Sequence, residues 1–124
     1  MDLFVTGGTG FIGSEFCRIM GQEGHKLTVL SRDPGAARSI LGRDVEIVAS
    51  PSVLSHTPFD AIVNLAGLPI ADRRWTNARK RALVGSRVDL TDQLVEALAV
   101  APIRPAVLVS ASAVGYYGDR GNRL

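Results

Sequence analysis

The sequence predicts a doubly wound α/β fold, in which helices cover both faces of a parallel sheet. Short apolar runs of strand length alternate along the chain with segments of helical period. The runs lack the strict polar and apolar alternation of a half-exposed strand, which is typical of parallel strands buried on both faces. The chain has 124 residues and shows no internal repeat or break in composition, so we expect one domain spanning 1–124.

Five runs rich in leucine and β-branched residues are the predicted strands, at residues 3–6, 27–31, 45–49, 61–65 and 107–110. A helix is predicted between the first two strands, where four apolar residues recur at helical spacing: Ile12, Phe16, Ile19 and Met20. Gly24 is placed to end that helix before the second strand begins. With right-handed crossovers, the strands are expected in the order 3-2-1-4-5.

The remaining connections are less regular. Residues 33–42 contain a Pro-Gly turn and a short helix, whereas residues 51–58 are rich in Ser and Pro and are predicted to be a loop. A longer helical region covers residues 76–100 and is predicted to break near Gly85. Its second part carries a stripe that is expected to pack in the core: Val88, Thr91, Leu94, Val95 and Leu98.

Composition excludes several classes of protein. With 46% hydrophobic residues, 21% charged residues and a net charge of +2, the chain has the balance of a globular protein rather than a disordered or fibrous one. Cys17 is the single cysteine, so neither an internal disulfide nor a metal site is predicted. No apolar stretch approaches the roughly eighteen residues of a membrane helix, and the N-terminus lacks the basic flank of a signal peptide. We therefore expect a cytoplasmic protein.

The first predicted strand leads into a glycine-rich turn, TGGTGFIGS, at residues 6–14. In its G-x-x-G-x-x-G pattern, Gly7 permits a tight turn, Gly10 lets the backbone approach a pyrophosphate, and Gly13 lets the next helix pack on the strand. Free N–H groups at the start of that helix would face the phosphates. Because a strand precedes the turn, and a helix and a second strand follow it, the pattern predicts a Rossmann-type dinucleotide site. The alternative is a glycine turn with a structural role only.

The end of the second strand indicates which dinucleotide would bind. In NAD-binding domains an acid about twenty residues after the glycine loop accepts a hydrogen bond from the adenosine ribose 2′-hydroxyl. Here Ser31 and Arg32 occupy that place, and a hydroxyl with a guanidinium suits a 2′-phosphate. NADP is therefore favoured over NAD. In the alternative, Asp33 is the ribose acid and Arg32 is a solvated turn residue.

Together with later motifs, the turn makes the chain resemble the extended type of the short-chain dehydrogenase/reductase superfamily. NLAG at residues 64–67 resembles an element of that superfamily at the end of strand four. The strings PIADRRW, SRVDLT and SASAVGYYGDRG narrow the resemblance to the atypical subgroup of epimerase-family, nucleoside-diphosphate-sugar epimerase-like proteins. The resemblance covers essentially all 124 residues, but members of the subgroup are much longer. It implies an N-terminal portion, truncated after strand five, that lacks the C-terminal substrate-binding part.

The resemblance implies cofactor contacts at particular positions. Six residues match the pyrophosphate loop: Gly7, Thr9, Gly10, Phe11, Ile12 and Gly13. Ser31 and Arg32 match the 2′-phosphate site. Three residues match the segment that lines the adenine ribose: Leu65, Ala66 and Gly67. Arg87 matches a helix position that approaches a ribose or phosphate oxygen, and the alternative for Arg87 is a surface salt bridge with Asp89 or Asp92.

In this superfamily, a tyrosine and a lysine four residues later work with a serine at the end of strand five. Ser112 matches that serine and would hold a substrate oxygen, although a small residue also packs well there. The chain contains no Tyr-x-x-x-Lys. Tyr116 precedes Arg120 by four residues, but Gly118 disfavours a helix between them and arginine holds its proton too firmly for a catalytic pair.

These matches imply the NADP(H)-binding domain of an NADP-dependent oxidoreductase or epimerase that acts on a carbonyl or sugar-nucleotide compound. A noncatalytic nucleotide sensor and an inactive fragment are the alternatives. If the chain is truncated after strand five, that strand forms an exposed sheet edge, from which we expect self-association and low stability.

A cluster of cations stands out from the nearly balanced charge. Six of the fourteen lie within fifteen residues that contain no acid: Arg73, Arg74, Arg79, Lys80, Arg81 and Arg87. One interpretation is a solvated helix face. Another is contact with a phosphate of cofactor or substrate at the carboxyl ends of the strands. Nucleic acid is disfavoured as a partner, because Trp75 is the only stacking platform nearby and no recognition motif is present.

Overall fold

Five parallel strands form one sheet in the order β3-β2-β1-β4-β5 in the computed structural model, which describes residues 1–112. The strands are β1 (Asp2–Thr6), β2 (Lys26–Leu30), β3 (Glu46–Val48), β4 (Ala61–Asn64) and β5 (Val107–Ser110). The predicted order and the parallel pairing are confirmed. β3 is shorter than predicted, because Val45 and Ala49 lie outside its paired residues.

Helices make the connections between the strands. They are α1 (Phe11–Gln22), α2 (Pro34–Leu41), α3 (Asn77–Gly85) and α4 (Val88–Ala99). The break predicted near Gly85 is confirmed, since α3 ends there and Ser86 and Arg87 form a turn before α4. α2 begins at a proline, and the carboxylate of Asp33 caps it by accepting a hydrogen bond from Ala36 N at 3.0 Å.

The segment after β3 differs from the predicted loop. It contains a short 3-10 helix, Pro51–Ser55. Proline is favourable in a first helical turn, and the Ser50 hydroxyl caps that turn by accepting a hydrogen bond from Ser52 N at 3.2 Å. The same Pro and Ser residues that predicted a loop are therefore the start signals of this helix.

The core lies on both faces of the central strand β1. Leu3 and Val5 pack on one face in a cluster with Cys17, Leu27, Val29, Val45 and Ala61. Phe4 packs on the other face in a cluster with Leu54, Phe59, Ile62 and Leu94. The Phe4 and Phe59 rings meet edge to face with their centroids 5.3 Å apart. Burial on both faces explains why the β1 sequence shows no polar and apolar alternation.

The predicted apolar stripe of α4 is only partly in the core. Leu94 is fully buried and Leu98 packs against the cluster around Phe4. Val88 and Val95, by contrast, are about half exposed, at 50% and 55%. The prediction that all five residues of the stripe pack in the core is therefore wrong for these two valines. A stripe of five covers more of the helix than the single face that α4 turns toward the sheet.

Strand β5 pairs with β4 along one side, and its four residues are all exposed. The exposed fractions of Val107, Leu108 and Val109 are 49%, 40% and 51%. Within residues 1–112, β5 is an edge of the sheet. Self-association through this edge stays a prediction. No helix in the described part of the chain is long and apolar enough to cross a membrane.

Candidate functional site

The turn between β1 and α1 is held by close contacts between backbones. Gly7 has a φ of +69°, and a Cβ on Gly7 would lie 2.6 Å from the carbonyl carbon of Leu65 and 2.7 Å from Ala66 N. Both the left-handed conformation and the lack of space require glycine. The turn therefore lies directly against the chain that leaves β4, which brings two of the predicted site segments together.

Two further glycines allow α1 to pack under the turn. A Cβ on Gly13 would lie 2.1 Å from the carbonyl oxygen of Gly7, so this position tolerates no side chain without a backbone shift. Gly8, which the sequence analysis did not single out, would place a Cβ 2.8 Å from Val29 Cγ1 and 3.2 Å from Cys17 Sγ. The feature of the sequence that could have indicated this close packing is that Gly8 directly follows Gly7. These two glycines thus allow close packing inside the fold, Gly13 against backbone and Gly8 against the side chains of Val29 and Cys17.

The outer side of the turn is open. A Cβ on Gly10 would meet only Gly7 O, at 3.2 Å, and Gly10 caps α1 without a side-chain hydrogen bond. The first hydrogen bond within the helix runs from Ser14 N to Gly10 O at 2.9 Å, so the preceding N–H groups have no partner in the helix. Phe11 and Ile12 are 97% and 69% exposed beside them. Such a surface offers donors to an anion and apolar contact to an organic ligand.

Of the three residues that follow β2, Ser31 and Asp33 bond to each other, whereas the Arg32 side chain has no partner within residues 1–112. Ser31 Oγ donates to the Asp33 carbonyl at 3.0 Å and accepts from Asp33 N at 3.2 Å, and the Asp33 carboxylate caps α2. Arg32 is exposed and makes no hydrogen bond or ion pair within residues 1–112. Asp33 thus has a structural partner, whereas the Arg32 guanidinium is available to a ligand.

A buried polar network connects the carboxyl ends of three strands, and the sequence analysis missed it. Thr6 Oγ1 donates to Asn64 Oδ1 at 2.6 Å, and Asn64 Nδ2 donates to Thr91 Oγ1 and Ser110 Oγ, each at 3.2 Å. Thr6 Oγ1 also accepts from Ala66 N at 3.2 Å. Thr6 is fully buried and Asn64 is 6% exposed. The network fixes β1, β4 and β5 relative to one another at their carboxyl ends, where the β1–α1 turn lies.

Arg87 lies against the segment that follows β4. Its Nη2 donates to Leu68 O at 3.2 Å and its Nη1 to Leu83 O at 3.3 Å. A Cβ on Gly67 would lie 2.6 Å from Arg87 Cζ. The alternative of a salt bridge with Asp89 or Asp92 is wrong: neither pair is among the ion pairs of residues 1–112.

The arginine cluster is not one uniform surface. Arg79 is only 14% exposed at its side chain and donates to Pro69 O at 2.6 Å and to the Asp72 carboxylate. Its Nε is buried without a hydrogen bond in the described structure. Arg79 and Arg87 both bond to carbonyls of the β4–α3 loop, residues 65–76. The interpretation as a solvated helix face is wrong for Arg79, because its side chain is mostly buried. Five cations of the cluster are exposed: Arg73, Arg74, Lys80, Arg81 and Arg87.

The structure adds little about the predicted catalytic residues and the single cysteine. Ser112 is exposed and lies two residues beyond the end of β5, while Tyr116 and Arg120 lie outside the described residues. Cys17 is buried, and that burial raises the pKa of its thiol to about 11, which makes it unreactive near neutral pH. Within residues 1–112, no group of three His, Cys, Asp or Glu side chains could hold a metal ion.

Sequence comparison assigns the chain to a family. The model of the NAD dependent epimerase/dehydratase family matches residues 3–123. The chain belongs to this family. Epimerase family protein SDR39U1 of Homo sapiens is 37% identical over 94% of the chain, and the chloroplastic homolog of Arabidopsis thaliana is 39% identical over 95%. The chain spans 38% and 36% of the lengths of these relatives, which agrees with the predicted N-terminal portion.

Solved structures show the same fold. The crystal structure of human SDR39U1 with NADPH matches 94% of the chain with a TM-score of 0.76 and 34% identity, and the chain covers 38% of it. A UDP-glucose-4-epimerase from Stenotrophomonas maltophila with bound NAD matches all of the chain with a TM-score of 0.74, and the chain covers 40% of it. At 22% identity, this second likeness concerns the fold alone. The Rossmann-type fold and the epimerase-family resemblance are both confirmed.

Proposed function

We propose that residues 1–124 form the NADP(H)-binding domain of an epimerase-family oxidoreductase or epimerase acting on a carbonyl or sugar-nucleotide compound. The observation that carries this proposal is the β1–α1 turn. Its inner side is packed so closely that Gly7 and Gly13 admit no Cβ, whereas its outer side presents unpaired N–H groups. A structural turn needs the first property only. The open N-terminus of α1 is suited to a pyrophosphate.

In this proposal the pyrophosphate lies over the start of α1. The donors are backbone N–H groups of the first turn, and the dipole of the helix favours negative charge there. The contacts come from a row of residues around the turn: Gly7, Thr9, Gly10, Phe11, Ile12 and Gly13. The exposed side chains of Phe11 and Ile12 would be covered by the bound dinucleotide, which removes apolar surface from water.

The choice of NADP over NAD rests on the residues after β2. Arg32 has a free guanidinium that can donate to a 2′-phosphate, and the hydroxyl of its neighbour Ser31 could do so once it exchanges its bond to Asp33 O for one to the phosphate. The Asp33 carboxylate caps α2, which disfavours it as the acid of an NAD site. The human relative that crystallised with NADPH supports the same preference, although the bacterial epimerase holds NAD.

The adenine ribose would lie against the segment after β4. In this proposal Leu65, Ala66 and Gly67 would line the ribose, next to the Arg87 guanidinium that packs on Gly67. When bound, the reduced cofactor supplies a hydride. The residues of this chain bind and orient it, and Ser112 would donate a hydrogen bond to a substrate oxygen near the end of β5.

Thermal unfolding with and without nucleotide tests this proposal. NADPH at about a hundred times its dissociation constant should add roughly 2.7 kcal/mol to the free energy of unfolding if it binds the folded state alone. NADH at the same concentration should add less. Arg32→Gln should remove the difference between the two nucleotides, while Arg43→Gln, a change at another exposed arginine, should leave it intact.

Two results would contradict the proposal. If neither nucleotide raises the unfolding temperature, the turn has a structural role only. If NADPH and NADH raise it equally in the unmutated chain, Ser31 and Arg32 do not bind a 2′-phosphate.

A further inference from the structure

We infer that Ser86 and Arg87 form a clamp on the backbone of Gly67 and Leu68, and that Arg87 acts on the bound nucleotide as a positioning residue through that backbone. This inference rests on the proposed function. It differs from a direct contact between Arg87 and the cofactor, because three of the five N–H donors of the guanidinium already bond within the protein, to Leu83 O, Ser86 Oγ and Leu68 O.

The clamp holds both polar groups of one residue. Leu68 N donates to Ser86 Oγ at 3.1 Å, and Leu68 O accepts from Arg87 Nη2 at 3.2 Å. Both clamp residues are themselves fixed by the end of α3, since Ser86 Oγ donates to Leu83 O at 2.8 Å and Arg87 Nη1 donates to the same oxygen at 3.3 Å. The turn between α3 and α4 therefore determines where the chain after β4 lies.

Gly67 and Arg87 fit each other closely. A Cβ on Gly67 would lie 2.6 Å from Arg87 Cζ, 2.7 Å from Nη2 and 3.0 Å from Nε. These three distances mean that the flat guanidinium covers the position where a side chain would project. A side chain at residue 67 would therefore displace the guanidinium.

The positive charge of Arg87 can be tested separately from its hydrogen bonds and its packing on Gly67. No carboxylate among residues 1–112 forms an ion pair with Arg87, so its positive charge stays uncompensated beside the proposed ribose site. A lysine would keep that charge but has no planar fork that can cover Gly67 and bond two carbonyls at once. Replacement by lysine therefore distinguishes positioning from simple electrostatic attraction.

The β4–α3 loop contains a tryptophan, Trp75, whose fluorescence can report on the conformation of the loop. Trp75 is the single tryptophan of the chain, and its Nε1 donates to Ile70 O at 2.9 Å within the β4–α3 loop. Its fluorescence should therefore follow the conformation of this loop rather than that of the sheet. The free protein can be examined in this way without any nucleotide.

The experiment compares Arg87→Lys, Arg87→Met and Ser86→Ala with Arg81→Lys, a change at an exposed arginine of α3 that makes no hydrogen bond within residues 1–112. The clamp predicts that Arg87→Lys raises the dissociation constants of NADPH and NADH by the same factor, roughly tenfold, because the bonds to charged donors are lost. It also predicts a shifted Trp75 emission maximum in all three clamp variants without nucleotide. Arg81→Lys should change neither quantity.

Other outcomes overturn the clamp. If Arg87→Lys bound both nucleotides as tightly as the unmutated chain, charge or a direct contact would matter instead. If only its affinity for NADPH fell, Arg87 would lie at the 2′-phosphate. Unchanged Trp75 emission in Arg87→Met would show that the loop does not depend on the arginine. This last result is independent of nucleotide binding, so it separates failure of the clamp from failure of the proposed function. Ser86→Ala leaves the guanidinium in place and guards against a variant that fails to fold.

Discussion

The β1–α1 turn and the β4–α3 loop both lie at the carboxyl ends of the strands but are held by different interactions. In the turn, backbone packs on backbone, and the space left at Gly7 and Gly13 is smaller than a methyl group. In the loop, the guanidinium groups of Arg79 and Arg87 bond to backbone carbonyls from outside. The first arrangement has no adjustable part, whereas the second can be altered by replacing a side chain. We therefore expect substitutions to abolish the turn but only to loosen the loop.

The largest effect is expected for Gly13→Ala. The added methyl would lie 2.1 Å from Gly7 O, so the backbone of the turn has to move. The free energy of unfolding should fall by at least about 2–3 kcal/mol and nucleotide binding should be lost, as measured by urea unfolding and titration with NADPH.

Gly21→Ala in the same helix is the matched control. A Cβ there would meet its nearest atom, Leu27 Cδ1, at 3.8 Å, an ordinary contact. Alanine should stabilise the helix by up to about 1 kcal/mol at that position. If Gly13→Ala behaved like Gly21→Ala, the turn would be adjustable after all and the contrast with the loop would disappear.

An intermediate effect is expected for Asn64→Ala, which removes the amide that connects the two regions. Thr6 Oγ1 would lose its acceptor inside the core, and Thr91 and Ser110 would lose their shared donor. We expect a loss of about 2 kcal/mol in urea unfolding. Asn77→Ala, at the exposed start of α3, should cost much less. Equal losses in the two variants would show that the network contributes no more than a surface amide.

The smallest effect is expected for Arg79→Met. The loop would lose the bonds to Pro69 O and Asp72, but the change would also remove a buried Nε that has no hydrogen bond in the described structure. A net loss of about 1 kcal/mol and a shift in Trp75 emission should follow, with Arg81→Met as the control. A loss as large as that of Gly13→Ala would mean that side chains hold the loop as firmly as backbone packing holds the turn.

The same contrast explains what could be predicted from the sequence. The turn was predictable because Gly7, Gly10 and Gly13 satisfy steric requirements that are local and specific to glycine. The strand order followed from apolar runs and from the handedness of crossovers. These features need no knowledge of which side chains meet.

The parts that escaped prediction depend on distant partners. Asn64 meets Thr6 and Ser110 across 58 and 46 residues, and nothing in an apolar strand pattern indicates such a pair. Arg79 was grouped with exposed cations because the acid that it meets, Asp72, lies just before the acid-free stretch. Val88 and Val95 follow a helical stripe, yet the packing of α4 on the sheet leaves them half exposed.

The central position of β1 has a consequence for synthesis of the chain on the ribosome. β1 is made first, but one of its two neighbours is β4, which begins at Ala61. At roughly 5–20 residues per second, the emerging chain waits about 3–12 seconds before β1 can complete its hydrogen bonds. During that interval the strands β1, β2 and β3 and the helices between them can form, with one side of the future central strand open. A nascent chain in this state would present the kind of unpaired strand that chaperones protect.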